Sequence, residues 1–80
     1  MKISVVKELV ETFTTEELTS AEDAIIQEIR PKILIPGEDE GEQLTHILAS
    51  LWVLDDMKRN NTDFRTSIRS YSQKVRKSID

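Results

Sequence analysis

The sequence has no cysteine, only two glycines and two prolines, one histidine and one tryptophan. Without cysteine there are no disulfides and no thiolate metal ligands, two devices on which many small domains rely. What remains is close helix packing, association with another chain, or a metal held by oxygen and nitrogen ligands. The lack of cysteine also fits a reducing compartment, so the cytoplasm is the expected location. No apolar run approaches a membrane span. The opening MKISVVKELVE leaves only residues 3–6 free of charge, too few for a signal-peptide core. There is no glycine-rich phosphate loop, no nucleophile pattern and no cofactor fingerprint, so neither enzymatic activity nor a cofactor is expected.

The net charge of −4 conceals a division. Residues 1–50 carry four basic and eleven acidic side chains, whereas residues 51–80 carry seven basic and four acidic ones. Opposite charges on the two parts can hold them together, or can join one chain to another head to tail. The overall acidity disfavours nucleic acid as the principal partner, because neutralising phosphates takes a net basic face.

Eighty residues amount to one domain, spanning 1–80. Ile3, Val6, Leu9 and Val10 fall on one face of a helix over roughly 2–12. Thr14 and Glu17 then make a capping box, with Phe13 and Leu18 in the staple positions, so a second helix starts at Thr15. Its expected buried face is Leu18, Ala21, Ile25 and Ile29, and Pro31 ends it. Ile33, Leu34 and Ile35, bounded by prolines, read as a short extended segment over 32–35. That segment must lie over the core or pair with its own copy in a second chain. A third helix over about 40–59 carries Leu44, Ile47, Leu48, Leu51, Trp52 and Leu54 on one side and Ala49, Val53 and Met57 on another. A helix apolar nearly all round is buried from more than one direction, and its second face is covered either by the first or last helix or by another subunit. Asn61 or Thr62 is expected to cap the fourth helix, with Asp63 in its first turn. Phe64, Ile68, Tyr71, Val75 and Ile79 form its narrow apolar seam. Arg65, Arg69 and Arg76 form a second stripe, with Lys74 and Lys77 further round. The expectation is an all-α domain of four helices, or three if the first two merge across residues 12–14.

The segment IPGEDEGEQLTHIL holds Glu38, Asp39, Glu40 and Glu42, and then the only histidine, His46. An EF-hand reading fails, because Pro36 and Ile47 occupy the first and twelfth loop positions. A carboxylate–histidine metal site built on Asp39, Glu42 and His46 lacks a second histidine and would need a symmetric dimer to be completed. Acid–base catalysis by Glu42 and His46 would need a pocket and a third group. The simplest reading is a helix start, with Asp39 as cap and Glu42 three residues on. His46 would then pair with Glu42 at i, i+4 on a half-exposed face.

The segment GEDEGEQLTHIL, following ELVETFTTEELTSAEDAI and preceding LWVLDDM, resembles a family of short bacterial proteins with no assigned function. The likeness runs over most of the chain. It implies a free-standing small protein and brings with it no activity, cofactor or catalytic residue.

These readings converge on a non-enzymatic interaction or regulatory protein, expected to be a homodimer or to bind another protein. Trp52, Val53 and Met57 of the third helix are the expected contact residues. The alternative is a small metal-binding protein using Asp39, Glu42 and His46. A third class uses the stripe of Arg65, Arg69 and Arg76 to bind anions or nucleic acid, although with Phe64 and Tyr71 in the apolar seam there is little to stack bases on.

Overall fold

The computed structural model describes residues 1–79, with side chains through Arg76. Four helices follow one another: α1 (Ile3–Thr12), α2 (Thr15–Ile26), α3 (Glu40–Asn60) and α4 (Phe64–Ile79). No β-strand occurs among the described residues, and none of their helices is long and apolar enough to cross a membrane.

The first two helices stay separate because Phe13 and Thr14 are both extended, with ψ of 157° and 167°. The Thr14 hydroxyl accepts the Glu17 N–H at 3.1 Å, and the Glu17 carboxylate accepts the Thr14 N–H at 3.0 Å. Both bonds of the capping box are therefore made, and two donors at the helix start are satisfied. Phe13 packs on the same apolar cluster as Leu18, as a staple requires.

The second helix stops earlier than its apolar spacing suggests. Glu28 takes the left-handed conformation at φ 60°, its N–H bonds to the Ile25 carbonyl at 3.0 Å, and the Ile29 N–H bonds to the Ala24 carbonyl at 2.8 Å. This pair of bonds is a Schellman motif, in which the left-handed position is usually glycine. The chain turns away at Gln27, so Ile29 does not join the buried face and is 58% exposed. The segment 32–35 crosses the core without pairing: Ile35 is buried, Ile33 half-buried, and Leu34 86% exposed. The alternation is that of an extended chain, but the backbone bends at Lys32 and Ile33.

Helix α3 is the centre of the fold, and α1, α2 and α4 each pack against it. On one side Ile47 meets Leu9, Leu18, Ala21, Ile25 and Ile35. On the other, Ala49 and Val53 meet Val6 and Ile68, with Val10, Trp52, Met57, Phe64 and Tyr71 around them. The second face of α3 is thus met by the first and last helices. The helix is buried from two directions, but both covers belong to the same chain, and Val53 is fully buried between α1 and α4.

The turn into α4 is polar. Asn61 is left-handed and its N–H bonds to the Met57 carbonyl, a conformation that asparagine tolerates better than most residues. The cap of α4 is Asp63, not Asn61 or Thr62: its carboxylate accepts the Thr66 N–H at 2.8 Å. Behind it the buried Ser67 hydroxyl donates to Asp56 at 2.7 Å and lies 2.6 Å from the Thr62 hydroxyl, and Asn60 also donates to Asp56. These bonds bind the end of α3 to the beginning of α4 side chain to side chain.

Candidate interaction surface

The acidic segment resolves into a helix start and a buried histidine. Asp39 caps α3, its carboxylate accepting the Glu42 N–H at 2.8 Å. Glu42 reaches back one residue beyond the cap and accepts the Glu38 N–H at 3.0 Å. His46 does not lie half-exposed beside Glu42; it is fully buried. Its Nδ1 donates to the Pro36 carbonyl at 2.8 Å and its Nε2 accepts the Lys2 N–H at 3.0 Å. Those two bonds assign the neutral Nδ1–H tautomer. They also leave neither ring nitrogen for Glu42, because the helical i, i+4 spacing is overridden by partners from α1 and from the loop. Asp39, Glu42 and His46 are thus each engaged separately. Among the described residues no group of three or more histidine or acidic side chains is placed to hold a metal.

The surface features gather on α3 and α4 instead. Trp52 and Tyr71 are half-buried, with ring centroids 5.5 Å apart and planes tilted by 53°. That separation suits a tilted aromatic pair. The Lys74 ammonium lies 5.9 Å from the Trp52 ring centroid, at the outer limit of a cation–π contact. Met57 is half-buried at the edge of the same cluster. Of the three expected contact residues, Trp52 and Met57 are thus partly accessible, and Val53 is not.

From the aromatic pair a groove of about 330 Å³ runs toward the start of α3, lined by Met1, Thr45, Tyr71, Ser72, Val75 and Arg76. It lies where the seam of α4 leaves the apolar cluster. Phe64, Ile68 and Tyr71 pack into the cluster around Val53, whereas Val75 is 39% exposed. Ile79, the last position of that seam, and Lys77, in the wider basic group, lie outside the described side chains. On α3, Leu48 falls between Thr45 and Trp52 in the same helical row and is also exposed.

The arginine stripe reaches this groove at Arg76. Arg65, Arg69, Ser72 and Arg76 succeed one another at spacings of four, three and four, which makes a single row on a helix. Ser72 and Arg76 of that row line the groove, and all three arginines are exposed. Among the described residues no ion pair joins residues 1–50 to these arginines; the ion pair present, Arg59 with Asp55, is local to α3.

Sequence reasoning placed Trp52, Tyr71, Val75 and the arginines in their helices but did not join them into one surface. Met1, Thr45 and Ser72 were not singled out. Met1 is in the groove because Lys2 is tied to His46, and no local pattern announces that bond. No curated protein and no solved structure matches the chain. Over residues 1–80 it matches, and belongs to, a family of unknown function, DUF6952.

Proposed function

We propose that this is a non-enzymatic interaction protein that docks a protein surface into the groove between α3 and α4. The open Val75 of the α4 seam carries this reading: it lies one turn beyond Tyr71 of the aromatic pair, and Arg76 lines the same groove. Tryptophan, tyrosine and arginine dominate binding energy at protein interfaces. The groove is open to solvent along its length and has room for one or two side chains of a partner. A regulatory protein of the cytoplasm, acting as a homodimer, is one form this reading takes. The metal-binding alternative has less support, since Asp39, Glu42 and His46 already hold backbone groups.

A displayed peptide library selected on the immobilised protein tests the groove against another exposed apolar site, Leu34. Selected peptides are expected to bind a Val75→Glu variant more than about tenfold more weakly and a Leu34→Glu variant normally. Peptides sensitive to Leu34→Glu and indifferent to Val75→Glu would move the docking face to the 32–35 segment.

A further inference from the structure

We infer that the occupant of the α3–α4 groove is a second copy of this chain, presenting the C-terminal end of its α2. The inference rests on the reading of the groove as a docking face and names what fills it. The groove is apolar along Tyr71 and Val75, and Arg76 lines it at the end of the row that begins with Arg65 and Arg69. Helix α4 contains no acidic residue. A fitting partner is therefore apolar at its centre and acidic at its rim.

The end of α2 has that composition. Ile26 and Ile29 are 63% and 58% exposed, and Glu22, Asp23 and Glu28 lie among them in the segment EDAIIQEI. The left-handed Glu28 and the two Schellman bonds fix the backbone that carries both isoleucines. Arg30 follows Ile29 but is outnumbered there by Glu22, Asp23 and Glu28, whereas Leu34, the other large exposed apolar side chain of this region, stands with Arg30 and Lys32 in a pocket without an acidic residue and fits less well. A groove-to-groove dimer would likewise bring two arginine rows together, and like charges across an interface oppose association. Among the described residues no ion pair joins residues 1–50 to the arginines of α4, so a neighbouring copy can engage both surfaces. Such a contact is head to tail: two different patches meet, and the copies close into a ring or extend.

Two variants that alter only exposed or rim positions separate the halves of the contact. One carries Ile26→Lys and Ile29→Lys, the other Val75→Glu and Arg76→Glu; retained helical circular dichroism checks that each folds. Native mass spectrometry and sedimentation across concentration are expected to show self-association of the natural chain. Each variant alone should lose it by more than about tenfold. Mixed in equal amounts, they should recover a complex of one copy of each, because one intact α2 end and one intact groove remain. A natural chain that stays monomeric up to about 1 mM overturns the inference. So does an assembly that the Ile26→Lys, Ile29→Lys variant leaves unchanged. In the second case a groove variant that still dissociates would keep the docking face and exclude only this occupant. If the peptides selected on the groove also fail, the docking reading falls with it.

Discussion

The backbone N–H of Lys2 donates to Nε2 of His46, 44 positions further along the chain, at 3.0 Å. Lys2 is the N-cap of α1, and its side chain makes no capping bond. The histidine therefore fastens the start of one helix to the middle of another, while its other nitrogen holds the loop at Pro36. His46→Ala is expected to lower the unfolding free energy by about 2–4 kcal/mol, through the lost volume and the orphaned buried groups. His46→Phe should also destabilise, since it fills the space but satisfies neither the Lys2 N–H nor the Pro36 carbonyl. Urea midpoints measure both. If instead zinc raises the melting temperature of the natural chain and not of His46→Ala, the imidazole is a ligand and the alternative function returns.

Glu28 pays for its left-handed conformation with a Cβ that glycine lacks. Replacing it with glycine should stabilise the chain by about 1 kcal/mol, because the Schellman bonds remain and the steric strain disappears. A melting temperature that falls for Glu28→Gly would mean that the side chain contributes more than its backbone strain costs.

Gly37 presents the opposite case. Its φ is +157°, and a Cβ added there would come within 2.9 Å of the Gln43 backbone nitrogen and 2.7 Å of its Cγ. Because a backbone atom of α3 cannot swing aside, Gly37→Ala should cost about 1–3 kcal/mol. Thermal unfolding of the single variant is sufficient to check it, and an unchanged midpoint would show that the loop shifts freely.

Acid should weaken the α3–α4 turn first. The hydroxyl of Ser67 donates to Asp56 and holds its carboxyl below the usual 3.8; the Thr66 N–H does the same for Asp63. The unfolded chain has the ordinary values, so between these and the folded values it binds more protons than the native state, and stability rises with pH in that window. The contribution is fully present above about pH 4 and is lost as the pH falls through the folded values. Asp56→Ala should lower stability at neutral pH and flatten the decline in acid. An acid decline as steep as in the natural chain would assign it to other carboxylates.

Much of the fold is legible in local patterns. Thr14 and Glu17 mark the start of α2, and Asp39 marks the start of α3, because caps act over three or four residues and need no tertiary partner. The end of α2 is not legible in this way. Nothing about Glu28 marks it as left-handed, so Ile29 reads as the next core position when it is the first residue past the turn. The surroundings of His46 are illegible for a stronger reason. Its partners, Lys2 and Pro36, lie 44 and 10 positions away, whereas spacing rules see only Glu42 beside it. The two-sided apolar character of α3 was visible, but the choice between a second subunit and two helices of the same chain depends on where α1 and α4 lie. That placement is tertiary information.

Helix α1 contributes Val6 to one apolar cluster and Leu9 to the other. The two clusters therefore cannot mature independently. During synthesis α1 emerges early, yet its docking surfaces are not complete until residues as late as Ile68 have been made. It must wait, helical or not, while most of the chain is built. These distant contacts raise the contact order above that of a simple helical hairpin, and closing them is the slow part of forming such a topology. Refolding should accordingly be limited by the arrival of α1 on a preassembled α2–α3–α4 unit, and a circular permutant that begins at α2 and ends with α1 would change the order of events without changing the final packing.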